Sequence, residues 1–234
     1  MSIPVLIIPT LNQQDRIAEL YRSIDYPVDR LIIIDNGGYG PLLDRKGSKV
    51  GRVDIVTPGK NLGVSGAWNL GLKIAPAEPW WLISNDDVTF GPGDLEQLDG
   101  CVDRYRNGHY FLLGMALFAI TYYTLMDVGY FDENFHPAYD EDLDWHRRAL
   151  LAGSERTNPT FTGTHVGSAT IMADPSLRRQ NGPTHQANDA YYARKWGGPK
   201  LGGETFSTPF NRGGHVGDWR LEPDRLRNQS WKKE

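Results

Sequence analysis

The sequence predicts an α/β protein: a mostly parallel sheet flanked by helices, in a single domain with an extended C-terminal tail. Three observations predict it. Short apolar runs rich in β-branched residues recur from the N-terminus, segments with helical spacing separate them, and several of the runs end on polar residues.

Ile3–Pro9 is an unbroken apolar run, as expected of a strand covered on both faces. Over Gln13–Ile24 the residues Ile17, Leu20, Tyr21 and Ile24 recur at helical spacing. Arg30–Asn36 (RLIIIDN) is a second buried strand, Val53–Gly59 a third and Trp80–Ser84 a fourth, with a helix over Ser65–Ala75 between the last two. Further on, Asp94–Arg106 predicts a helix and Tyr110–Ile120 a strand. Asp140–Ala152 predicts a helix whose Leu143, Arg147, Leu150 and Leu151 lie on compatible faces. From Asn158 onward glycine, proline and polar residues dominate, and only Asp189–Trp196 reads as regular. The expected division is a catalytic domain over 1–198 and, over 199–234, an extension that wraps it or meets a partner or acceptor.

Composition narrows the function. The 234 residues suit one large domain, and a hydrophobic content of 39% with seven tryptophans supplies a core. A net charge of −4 speaks against a protein held to nucleic acid by bulk electrostatics. The single cysteine, Cys101, rules out an internal disulfide and a Cys-rich zinc site, and fits a reducing compartment. MSIPVLIIPTLN has no basic region and no small-residue cleavage site, and the apolar run Tyr110–Met126 is interrupted by glycine, threonine and tyrosine. The expectation is a soluble, cytoplasmic protein with no transmembrane segment.

Three strand ends are polar: Thr10-Leu11-Asn12, Asp35-Asn36 and Asn85-Asp86-Asp87. In open parallel sheets ligands bind beyond the carboxyl ends of the strands. Neither G-x-G-x-x-G nor G-x-x-x-x-G-K-[ST] follows the first strand, which argues against a dinucleotide oxidoreductase or a P-loop NTPase. A nucleotide here needs another anchor, and a divalent metal bridging a carboxylate to phosphates is the natural one. Asp87, closing SNDDV, offers such an oxygen. By itself the stretch is equally a solvated turn in which Asp86 or Asp87 caps the next segment.

YDEDLDWHRR gathers Asp140, Glu141, Asp142 and Asp144. Carboxylates in a first helical turn favour the positive end of the dipole, which accounts for one or two of them. Four so close also raise one another's pKa, which gives a base able to accept a proton near neutral pH. His165, in GTHVGSA, is either a lone histidine or, with a metal at Asp87, a further ligand. In NLGVSGAWNLGL, Ser65 reads as a helix N-cap, or else the backbone at Gly63 and Gly66 approaches a nucleotide sugar. Trp145 is a candidate for stacking on an acceptor, with Asp144 beside it. His136, His146, His185 and His215 carry no comparable context and read as structural.

Taken in order, IIPTLN, IIIDNGG, NLGVSGAWNLGL, SNDDV in the place of a D-x-D, and VGYFDENFHPAYDEDLDWHRRALLAG resemble the GT-A glycosyltransferases. Within them they resemble the inverting family 2 group that includes rhamnosyl- and galactosyl-transferase-like proteins. The last segment follows a G-x-F-D-E-x-F…E-D-x-D-x-x-x-R pattern. YYARKWGG (Tyr191–Gly198) is like the aromatic-Lys-Trp segment near the end of that domain, so the likeness spans about residues 3 to 198.

The resemblance implies transfer of a sugar from a UDP-, dTDP- or GDP-sugar to an acceptor hydroxyl, with Mn²⁺ or Mg²⁺. It implies that Thr10, Asn12, Asp35, Asn61, Gly63, Asn85 and Asp86 meet the donor, Asp35 at its base and Asn61 and Gly63 near ribose and sugar. It places the metal on Asp87 and His165, and makes Asp142 the catalytic base with Glu141 orienting the acceptor. Asn85 stands where the D-x-D has an aspartate, so the site carries one charge fewer. The acceptor stays open among a glycan, a lipid-linked glycan, a protein and a modified nucleic-acid base, and an oligomer is compatible. Two alternatives are a catalytically weak nucleotide-sugar-binding module and a sugar-nucleotide nucleotidyltransferase. The latter normally has a Gly- and Arg-rich loop after strand one, which this chain lacks. The tail carries Arg212, Arg220, Arg225, Arg227, Lys232 and Lys233, which would suit an acidic acceptor, a partner or a membrane surface, but interspersed acids make a solvated tail the simpler reading.

Overall fold

The structure, a computed structural model, describes residues 1–167, 170, 172 and 174–216. Its strands are β1 (Ile3–Thr10), β2 (Val28–Asp35), β3 (Val50–Val56), β4 (Trp80–Ser84), β5 (Val88–Thr89), β6 (Gly108–Phe111), β7 (Leu117–Thr121), β8 (Glu155–Thr157) and β9 (Thr164–His165). Its helices are α1 (Gln14–Arg22), α2 (Gly63–Ile74), α3 (Asp94–Cys101), α4 (Tyr122–Val128), α5 (Glu141–Leu151) and α6 (Pro175–Trp196), followed by a 3₁₀ turn at Pro209–Asn211.

Among the described residues seven strands form one sheet in the order β3-β2-β1-β4-β7-β6-β8, and β5 pairs with β9 in a separate ribbon. β1 pairs in parallel with both β2 and β4, whereas β7 runs antiparallel to β4 and to β6. All eight residues of β1 are buried, and from Val5 to Ile8 successive ones enter different cores. Ile3, Leu6 and Ile8 pack with Ile17 and Leu20 of α1, whereas Val5 and Ile7 pack with Trp68 and Leu72 of α2. The unbroken apolar runs follow from this two-sided cover. The strand order reverses between β1 and β4, which opens a crevice at their carboxyl ends.

Four expectations are corrected. Tyr110–Ile120 is not one strand but the hairpin β6–β7, which reverses around Gly114 (φ +57°) with Phe111 opposite Phe118. β3 lies three residues earlier than predicted, at Val50–Val56. Ser65 is not the N-cap of α2; the helix begins at Gly63 and Ser65 donates its hydroxyl to the Phe135 carbonyl. The segment read as irregular up to Asp189 holds, from Pro175 onward, the first 14 residues of the 22-residue helix α6, whose sequence hides it with an internal Pro183.

α5 also faces the other way from its apolar pattern. Leu150 and Leu151 are exposed, whereas Glu141, Asp144, Trp145, Arg148 and Ala149 form the buried face. A buried stripe of charges is stable only if it is paired. Lys195 of α6 lies 2.8 Å from Asp132 and 2.5 Å from Asp144, and Arg148 lies 3.0 Å from Asp144. Trp196 donates its indole N–H to Asp144, Tyr191 its hydroxyl to Asp132, and Arg148 two guanidinium N–H groups to the Val128 and Tyr130 carbonyls. GYFDENF, EDLDWHRR and YYARKW therefore meet in one buried ion network. After α6 the chain turns back: Trp196 O accepts from Thr205 and Phe206, and Glu204 accepts from Tyr192. Of the tail's basic residues, Arg220, Arg225, Arg227, Lys232 and Lys233 lie outside the described residues. Among the described residues no helix is long and apolar enough to cross a membrane.

Candidate active site

A cavity of about 360 Å³ occupies the crevice. It gathers most of the residues that the sequence singled out: Thr10, Asn61, Gly63, Asn85, Asp86, Asp87, Glu141, Asp142 and His165. Thr10 at the end of β1 donates its hydroxyl to Asp86 beyond the end of β4, at 2.8 Å, which ties the two strand ends together across the point of reversal. Burial first, and then the neighbouring Asp87, push the Asp86 carboxyl up to about 7, against the Thr10 hydrogen bond.

Asp87 and His165 come together through the small ribbon. Val88 of β5 pairs with His165 of β9, and Val166 N donates to Asp87 O, so the two side chains emerge side by side. His165 Nε2 lies 3.2 Å from Asp87 Oδ1. A carboxylate oxygen and an imidazole nitrogen so placed form a donor pair that fits Mn²⁺ or Mg²⁺, with Mn²⁺ better served by the nitrogen.

The loop before α2 forms another side. Asn36 Oδ1 accepts from Leu62 N, Asn61 Oδ1 from Gly63 N, and Val64 N donates to Pro137 O. Gly63 has φ +72°, and a Cβ there would fall 2.6 Å from Pro137 O. Only glycine lets this loop close on the turn that precedes α5.

That turn aims the acid pair. Tyr139 and Asp140 have φ +78° and +71°, and Asn188 of α6 donates to the Ala138 and Tyr139 carbonyls at 2.7 and 2.8 Å. Asp140 makes no side-chain cap; its carboxylate instead meets Lys200, on whose other side stand Asp189 and His185. Glu141 and Asp142 then line the cavity. Burial, followed by Asp142 and Asp140, holds Glu141 well above the ordinary carboxylate range, and burial raises Asp142 against its bond from Leu143 N. The Glu141 Oε2 atom is buried with no hydrogen-bond partner among the described residues.

Four predicted residues lie elsewhere. Trp145 and Asp144, expected beside an acceptor, are fully buried and absent from the cavity wall. Trp145 stacks on Phe131 and donates to Gly129 O, and Asp144 belongs to the Lys195 network, because both project to the core side of α5. Asp35 and Asn12 line a shallow neighbouring cleft that shares Thr10 with the cavity. Asp35 accepts from the N–H groups of Gly37, Gly38 and Gly40, so it braces the turn after β2. Asn12 lies against Gly37, where a Cβ would fall 2.0 Å from its Oδ1.

Sequence reasoning missed Asn36, Tyr139 and the face Leu177, Gln180, Asn181 and Thr184 of α6, all of which line the cavity. The four α6 residues have helical spacing, which was the available signal, but Gly182-Pro183 reads as a loop.

The mixed sheet, with its reversal between β1 and β4, has the GT-A fold. Mannosyltransferase PcManGT from Pyrobaculum calidifontis, in complex with GDP-Man and Mn²⁺, is similar with a TM-score of 0.55 at 15% identity, over 79% of this chain and 63% of its own. GalNAc-T7 with UDP, GalNAc and Mn²⁺ gives 0.58 at 10% identity, over 83% and 50%, and S. aureus TarS with UDP gives 0.52 at 16%, over 67% and 56%. Residues 5–112 match the family described as glycosyl transferase family 2. A galactofuranosyl glycosyltransferase of Leishmania donovani is 25% identical over 66% of this chain and 54% of its own, so this chain spans about half the length of that curated relative.

Proposed function

We propose that the protein is an inverting, metal-dependent glycosyltransferase that moves a sugar from a nucleotide-diphosphate sugar to an acceptor hydroxyl. One observation carries the reading. The cavity is lined by Asp86, Asp87, Glu141, Asp142 and His165, and no Lys or Arg is among the described residues that line it. Such a wall repels a bare diphosphate and accepts one that arrives with a divalent cation. The complexes of PcManGT with GDP-Man and Mn²⁺ and of GalNAc-T7 with UDP, GalNAc and Mn²⁺ support a nucleotide-sugar donor accompanied by a metal. Asp87 and His165 would hold the ion. When bound it supplies charge stabilisation to the departing diphosphate.

The remaining steps belong to the chain's own residues. Asp35 and Asn12 flank the base, while Thr10, Asn61, Gly63 and Asn85 position the rest of the donor. Asp142 takes the proton from the acceptor hydroxyl, whose oxygen bonds to the anomeric carbon. The bond from that carbon to the diphosphate breaks on the opposite face, so configuration inverts. Glu141, held high by burial, is suited to give a hydrogen bond to the acceptor.

Calorimetry of UDP-, dTDP- and GDP-sugars tests this, with Mn²⁺ and with EDTA, on the wild type and on Asp87→Ala. We expect one donor to bind in Mn²⁺, to be lost in EDTA, and to bind about tenfold or more weakly to the variant. Equal affinity in EDTA would overturn the metal reading. Asn85, with its missing charge, favours a second reading as a binding module without transfer, which nucleotide release on adding acceptor would exclude.

A further inference from the structure

One side of the cavity is used by none of the donor or metal residues. Leu177, Gln180, Asn181 and Thr184 line it from a single face of α6, at the spacing i, i+3, i+4 and i+7. Tyr139 lines it too, its ring stacked on His185 with centroids 4.8 Å apart. Packing does not account for Leu177, Gln180 and Asn181. Every buried residue of α6 comes at or after Thr184, and none lies in the stretch before Pro183. Thr184 spends its hydroxyl on the Asn181 carbonyl. The carboxamides of Gln180 and Asn181 bond to no described residue, so each offers a donor and an acceptor to whatever enters.

Charge sets the class of ligand. The cavity wall holds four carboxylates, and no Lys or Arg is among its described residues. On the glycosyltransferase reading, the one divalent cation is already engaged with the donor diphosphate. A phosphorylated or carboxylate-bearing acceptor would find no Lys or Arg of the described wall to pair with here. A neutral polyol would not, and its hydroxyls match paired carboxamides while its C–H face suits an aromatic ring.

We propose that this face of α6, with Tyr139, is the acceptor subsite, and that the acceptor group it binds is a neutral sugar. The inference rests on the glycosyltransferase reading and selects the glycan among the acceptors that the chemistry allows.

The test uses the full chain with Mn²⁺ and the nucleotide sugar that binds best. Transfer is measured to octyl galactoside and octyl mannoside, to their phosphomonoesters, and to a Ser/Thr-containing peptide. The expected result is transfer to at least one neutral glycoside and not to its phosphomonoester. Gln180→Ala and Asn181→Ala should each raise the acceptor KM by about tenfold, the scale of one lost hydrogen bond, with the donor Kd unmoved. Equal transfer to the phosphomonoesters, transfer to the peptide alone, no transfer to a neutral glycoside, or an unchanged acceptor KM in both variants overturns the inference. A wild type that binds no nucleotide sugar in Mn²⁺ overturns the glycosyltransferase reading instead.

Discussion

Lys200 places its ammonium 2.6 Å from the carboxylate of Asp140, the residue that opens α5 with φ +71°. It also lies 2.7 Å from Asp189 and 3.2 Å from His185, so a cation from the segment after α6 sits among three groups disposed as metal ligands. Non-glycine residues at positive φ cost roughly 1–3 kcal/mol each and persist only where the surroundings enforce them. Lys200 and Asn188 are the enforcement here, and Glu141 and Asp142 come directly after the turn they hold.

Lys200→Met should therefore lower kcat for transfer by about tenfold or more while the donor Kd stays within twofold, and lower stability by about 2 kcal/mol in urea denaturation. Lys200→Arg should recover part of kcat. A variant with lower stability but unchanged kcat would show that the contact is only structural.

Lys195→Met removes the cation between Asp132 and Asp144, all three being buried. Removing one partner of a buried ion pair costs about 3–5 kcal/mol. Urea unfolding followed by tryptophan fluorescence should register a loss of that order, and adding Asp132→Asn should restore part of it.

Asp142→Asn should retain donor binding and lose transfer by about 10²–10⁴-fold, the usual contribution of a positioned base. Near-normal turnover would reassign the base to Glu141, whose Gln variant is the companion measurement.

His109 is buried beside His146, with Nδ1 2.8 Å from the Ser154 hydroxyl. Burial, then His146 and Arg156, lower its pKa to about 4. The unfolded chain takes up this proton near pH 6.5 and the folded chain only near 4, so the stability contribution is full above 6.5 and falls as pH drops through this window. Thermal melts should show a falling Tm between pH 6.5 and 4, with a shallower slope in His109→Gln.

The strand-end side of the cavity was legible because its signals are local. Unbroken apolar runs mark strands covered on both faces, and Thr10, Asn61 and Asn85–Asp87 stand where helix cover ends. The far side was not legible. α5 buries its charged stripe, so apolar periodicity pointed to the wrong face, and Trp145 and Asp144 were assigned to the acceptor from their place beside the acids. What turns the helix round is Lys195, 51 positions beyond Asp144. Gly182-Pro183 hid α6 in the same way, since a helix anchored by its second half tolerates a break that its local sequence advertises.

The buried network also sets an order of events during synthesis. A chain emerging from its N-terminus can assemble β1 to β4 and their helices early, because those contacts are made within its first 84 residues. Asp132 and Asp144 stay without their shared counter-ion until Lys195 has left the ribosome. The strands that frame the crevice thus come together before the network that anchors α5 can close.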